Sequence, residues 1–127
     1  MKKTKTLDET YTETINRVTE IAESEGWSVN IIDFDDTIAI TFQKYSSAGQ
    51  DFSFEISCYK TDEIYEILEA IHEYWNNFDI SYEAYLWLDN EGHGKNGAPY
   101  EMIDVYNDMK ECEESVYKLW RAIKDEF

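Results

Sequence analysis

Three stretches of this chain alternate apolar and polar residues, and the segments between them are too short to do anything but turn back. Trp27, Val29 and Ile31 form the first, Ile38, Ile40 and Phe42 the second, and Phe52, Phe54, Ile56 and Cys58 the third. A side-chain period of two puts each apolar set on one face of a strand. The connections, Asp33 to Asp36 and Ser46 to Gln50, are rich in Asp, Ser and Gly, the residue types of tight turns. A parallel pairing would need a crossover of about a dozen residues or more, so the spacing predicts a three-stranded antiparallel meander with one buried face.

On either side of the meander the period changes to that of a helix. Tyr11, Ile15, Val18 and Ile21 recur at steps of three and four from Leu7, and Gly26 follows as a stop. After the strands, Thr61 is placed to cap a helix carrying Ile64, Ile67, Leu68, Ile71 and Trp75. Asp79 or Ser81 caps a short third helix with Tyr82, Tyr85, Leu86 and Leu88. Gly92, Gly94, Gly97 and Pro99 then interrupt the chain. Pro99 suits the first turn of a last helix, in which Met102, Val105, Met109, Cys112, Val116, Leu119 and Ile123 step with a heptad-like period. That stripe fits either the core or the seam of a self-associating structural domain, and in a chain this small the core is the better use. The expectation is one α+β domain over residues 1–127, with the meander packed against helices in the order α-β-β-β-α-α-α.

Charge narrows what such a domain can meet. The chain has 28 acidic and 11 basic residues and a net charge of -17, yet 16% of it is aromatic, which sets it apart from disordered acidic chains. The acid must coat a packed core. A surface of that sign works against direct contact with nucleic acid or with anionic membrane and favours a basic protein as partner. Cys58 and Cys112 are too few for a disulfide framework and fall in apolar phases, so both read as buried thiols. No apolar run follows Met1 to Lys5, and the expected location is the cytoplasm. No cofactor and no metal is assigned.

The sharpest local motif is Asp33-Phe-Asp-Asp-Thr37, preceded by Ile31 and Ile32. It resembles the first motif of haloacid-dehalogenase-type phosphohydrolases, which implies Asp33 as nucleophile, Asp35 as acid/base and Mg²⁺ between carboxylates and substrate. That family places the motif on a parallel sheet, whereas here Ile38 to Phe42 return as a hairpin, and its later motifs have no counterparts. A Ca²⁺ loop is the other use of clustered Asp33, Asp35 and Asp36, without the glycine and distal glutamate of such loops. The loop Gly92 to Gly97 has the parts of an anion cradle, with His93, Lys95 and Asn96 as a secondary contact set, but lacks the Walker spacing. Neither His72 nor His93 has a nucleophile in a readable pairing.

The acid is also patterned. Asp62, Glu66, Glu69 and Glu73 form a row on the second helix, and Glu101, Asp104, Asp108 and Glu111 a row on the last. Such steps space carboxylates roughly 5 to 6 Å apart, within about a factor of two of the charge spacing on one nucleic-acid strand. A small acidic aromatic-rich chain with a helix, three antiparallel strands and further helices resembles acidic anti-CRISPR and anti-restriction proteins. That resemblance implies a non-enzymatic inhibitor from a phage or mobile element. Such an inhibitor mimics nucleic acid at the basic surface of a host defence protein such as a CRISPR nuclease. It is one of size, charge and element order, so no binding residue carries across from it. The candidate partner contacts are the two rows together with Asp33, Asp35 and Asp36. Tyr45, Tyr59, Tyr65 and Tyr100 are candidate aromatic anchors, and the chain is expected as monomer or homodimer.

Overall fold

A computed structural model describes residues 7–60 and 64–127. Thr61 and Asp62 lie outside the described residues. The elements run α1 (Leu7–Ser24), β1 (Ser28–Asp33), β2 (Thr37–Tyr45), β3 (Asp51–Tyr59), α2 (Tyr65–Asn76), α3 (Ile80–Tyr85) and α4 (Met102–Glu126). The fold is therefore α+β in the expected order, with the strands in sheet order β1-β2-β3 and both pairings antiparallel.

Register follows from the alternation. Ile31 stands opposite Ile40 and Val29 opposite Phe42, while Ile40 and Phe42 face Ile56 and Phe54 across the other ladder. A slip of one residue would turn every one of these side chains to the wrong face. On the inner face Ile38, Ile40, Phe42, Phe52, Phe54 and Ile56 are buried, each worth about 1.5–3 kcal/mol of transfer free energy. Trp27 sits among them, edge-on to Phe42, Phe52 and Phe54 with centroids 5.6 to 6.4 Å away.

The helices cover this face. α1 packs on β1, α2 on β3, and α4 lies against α1, α2 and α3. α1 ends where Gly26 takes φ +93° and its amide and that of Trp27 turn back to Glu23 and Ala22 carbonyls. In α4 the residues Val105, Met109, Cys112, Val116, Leu119 and Ile123 are all buried, so the heptad-like stripe is core and is not free to act as a seam between chains. Met102, at its start, is exposed, and Pro99 lies outside the helix, which begins at Met102. Asp79 caps α3 by accepting from the Tyr82 amide at 3.2 Å. Cys112 is buried and its thiol is pushed up to about 12 by desolvation, whereas Cys58 is only half-buried. Among the described residues no helix is long and apolar enough to cross a membrane.

Candidate functional site

The β1–β2 turn presents Asp33, Asp35 and Asp36 to solvent. The Phe34 amide closes it on the Thr37 carbonyl at 3.0 Å, and β2 departs antiparallel at once, with Asp33 opposite Ile38. No crossover follows Asp33, so the segment lacks the parallel-strand setting of the phosphohydrolase motif it resembles. Lys60 fixes this end, its ammonium 3.1 Å from Asp33 Oδ1 and its amide 2.9 Å from the Asp36 carbonyl. Tyr11 lies beneath, its phenol pushed up to about 12 by burial and, secondarily, by the charge of Asp33. Among the described residues no group of His, Cys, Asp and Glu is placed to hold a metal ion.

Glu66 opens α2 at this same end. It shares a shallow groove with Thr37, Ser57, Cys58 and Tyr59, next to the turn that carries Asp36. Glu69 and Glu73 continue along the helix and are exposed. The strand ends and the helix start thus bring Glu66 beside the turn, and the rest of the α2 row leads away from it along the helix. Among the described residues, Asp35, Asp36, Glu66, Glu69 and Glu73 join no ion pair.

The α4 row divides. Glu101 and Asp104 are exposed at the helix start. Asp108, expected on the partner surface, is instead buried, and Glu111 is half-buried. Both reach the β2–β3 turn: Ser46 Oγ donates to Asp108 Oδ2 at 2.8 Å, and the Ser47 amide donates to Glu111 Oε2 at 2.9 Å, with Ser47 Oγ donating to Glu111 Oε1. The correction has a simple cause, since an open hairpin turn has amides and hydroxyls to satisfy and these carboxylates are the nearest acceptors. Burial pushes the Asp108 carboxyl up, against the Ser46 hydrogen bond, while the bonds from Ser47 hold Glu111 below its ordinary value. The turn lies at the other end of the nine-residue β2 from Asp33, roughly 30 Å away at about 3.3 Å per residue. Asp108 and Glu111 therefore lie at the opposite end of the sheet from the turn aspartates.

The glycine loop is no empty cradle. Asp89 Oδ1 accepts from the amides of Glu91 and His93, both at 2.9 Å, and the Asp89 amide donates to the His93 carbonyl at 2.8 Å. The Gly94 amide goes to Tyr100 O and the Lys95 amide to Trp87 O. The chain's own carboxylate occupies the anion position, and these backbone bonds hold the Asp89 carboxyl below its ordinary value. His93 stacks on Tyr100 at 4.1 Å, while Lys95 and Asn96 are exposed, Asn96 at φ 56°.

The anchor candidates Tyr45, Tyr59, Tyr65 and Tyr100 are all exposed. An aromatic strip that the sequence reading missed runs across α2 and α4 through Trp75, Tyr117, Trp120 and His72. Its signal was present in the spacing of Tyr117 and Trp120 beside the core stripe. Compared with protein-family models, curated proteins and solved structures, the chain matches none.

Proposed function

We propose that this protein is a non-enzymatic acidic inhibitor. It docks on the basic nucleic-acid-binding surface of a host defence protein, such as a CRISPR nuclease, and blocks it by charge mimicry and bulk. The observation that supports this reading is that Asp33, Asp35 and Asp36 are exposed in the β1–β2 turn and that Glu66, beside the same strand ends, begins the row continued by exposed Glu69 and Glu73. Only Asp33 there has a basic partner among the described residues. In a chain of net charge -17 such a region attracts basic surfaces and speeds encounter. Exposed Tyr59 and Tyr65 flank it and supply the aromatic contact that fixes a complex after charge has steered it. Glu101, Asp104 and exposed Tyr100 make a smaller set at the far end.

Capture from a lysate of the native host, at low and at moderate salt, tests the reading. Recovery of a nucleic-acid-binding protein that competing duplex or single-stranded nucleic acid displaces is expected. Recovery of none at either salt would overturn it.

A further inference from the structure

Beside its buried stripe, α4 carries a second one. Glu113, Tyr117, Trp120 and Lys124 follow one another at steps of four, three and four, so they share the flank of the helix next to the core seam. The aromatic members are braced into a continuous surface. Tyr117 lies 5.2 Å from Trp75 and 5.7 Å from Trp120, and Trp120 lies 5.1 Å from His72. Lys124 Nζ sits 4.8 Å from the Trp120 ring centroid, which leaves its ammonium at the end of the strip. Tyr117 is exposed and the two tryptophans are half-buried, and between Trp75, Glu113 and Tyr117 runs a groove of about 390 Å³. Packing among the described residues leaves this aromatic surface partly open to solvent.

The charge around it differs from the rest of the molecule. Over this part of α4, Lys110, Lys118, Arg121 and Lys124 stand against Glu111, Glu113, Glu114, Asp125 and Glu126, and Glu69 of α2 borders Trp120, a far more even balance than the -17 of the chain as a whole. Nucleic acid is repelled by the whole field of the molecule. A second copy of this chain carries the same net charge and is repelled at long range, but at this flank the two surfaces it brings together are nearly balanced.

The order of the stripe is self-complementary: acid, aromatic, aromatic, base. We propose that it is the seam of a homodimer, in which two copies of α4 pack antiparallel about a two-fold axis between Tyr117 and Trp120. An isologous contact requires that if one residue meets another, the second also meets the first. With that axis, Glu113 stands opposite Lys124 of the partner subunit and Tyr117 opposite Trp120 of the partner subunit, each pair occurring twice. The inference does not depend on the inhibitor reading; a decoy or any other acidic domain is equally able to carry it.

Charge exchange tests it. Sedimentation equilibrium over a concentration series is expected to show a reversible species of twice the 15.1 kDa chain. It should be stronger at about 0.15 M salt than at about 0.01 M, because screening weakens the long-range repulsion first. Glu113→Lys and Lys124→Glu change a half-buried and an exposed side chain outside the core, and each alone is expected to weaken the dimer tenfold or more with circular dichroism unchanged. Mixing the two variants restores both contacts in a heterodimer, and combining them in one chain restores the homodimer. A monomer at every concentration and salt overturns the proposal. So does a dimer that both reversals leave intact, or reversals whose effect neither mixing nor combination rescues.

Discussion

Asp108 of α4 is buried and accepts a 2.8 Å hydrogen bond from Ser46, 62 residues earlier, at the tip of the β2–β3 hairpin. With Glu111 holding Ser47 one turn later, the helix fastens the hairpin from above.

The pair titrates in opposite senses. Burial raises the Asp108 carboxyl above its ordinary value, so the folded state binds that proton more tightly than the unfolded chain, and stability falls as pH rises from the unfolded value through the folded one. Hydrogen bonds lower Glu111, whose contribution is present above its unfolded value and is lost as pH falls through the folded one. Asp108→Asn keeps an oxygen to accept from Ser46 and removes the buried charge. Its stability relative to wild type is therefore expected to be more favourable at about pH 7 than at about pH 4. Urea midpoints at the two pH values measure this, and an equal difference at both would remove Asp108 as the source. Asp108→Ala, which strands the Ser46 hydroxyl, is expected to cost about 1–3 kcal/mol.

Asp89 does for the glycine loop what Asp108 does for the hairpin. In Asp89→Ala the amides of Glu91 and His93 lose their acceptor, and their hydrogen exchange is expected to accelerate at least tenfold while amides of β2 keep their protection. Asp89→Asn, which still offers Oδ1, is expected to stay near wild type. Exchange that is unchanged in the alanine variant would show that other bonds order the loop.

Gly94 closes that loop by close approach. A Cβ built on it would stand 1.8 Å from the Pro99 carbonyl oxygen, a backbone atom that cannot swing aside, whereas one on Gly49 meets nothing within 4 Å. Gly94→Ala is therefore expected to displace the segment before α4 and to alter the His93–Tyr100 stack, visible in the Tyr100 ring resonances. Gly49→Ala should lose only the cost of a left-handed alanine, about 1–2 kcal/mol, with the hairpin kept. Equal effects would place the constraint elsewhere.

The strands were legible because period-two patterning and short turns leave one solution: β2 and β3 occupy the segments the alternation marks, to within the ends of each turn. The core stripe of α4 was legible for the same reason. Asp108 was not, because periodicity alone assigns a helix position to solvent or core without knowing that a hairpin tip will arrive above it. Pro99 pointed to an earlier start for α4 than Met102, since the loop uses Tyr100 O to close on Gly94 before the helix begins. The Asp89 cap lies just outside the glycine run that drew attention, so the loop read as an open cradle. Tyr117 and Trp120 were hidden beside a more regular stripe.

Trp27 anchors the aromatic cluster, yet its Nε1 is buried with no hydrogen-bond partner among the described residues. Trp27→Phe retains an edge for Phe42, Phe52 and Phe54 and removes that stranded donor, so the lost volume and the removed penalty offset each other. The change in stability is expected to stay within about 1.5 kcal/mol, against about 3–5 kcal/mol for Trp27→Ala. Denaturation midpoints of the two variants give the comparison, and equal losses would mean that shape, rather than the indole nitrogen, dominates the site.

The exposed carboxylates of α2 and those at the start of α4 stand on different helices, which makes the proposed docking surface separable by mutation. Glu66→Gln, Glu69→Gln and Glu73→Gln together strip the α2 row without touching the core, and Glu101→Gln with Asp104→Asn strips the far end. Steering acts through net field and falls with ionic strength, whereas anchoring acts on dissociation. Against a captured basic partner, the α2 variant is therefore expected to slow association about tenfold at low salt and to approach wild type as salt rises past the screening range of about 0.15 M. The far-end variant should change association less than threefold. Exchanged effects would move the docking surface to the start of α4 and the Tyr100 loop, and equal small effects in both would assign the acidity to the general field of the molecule rather than to a built surface.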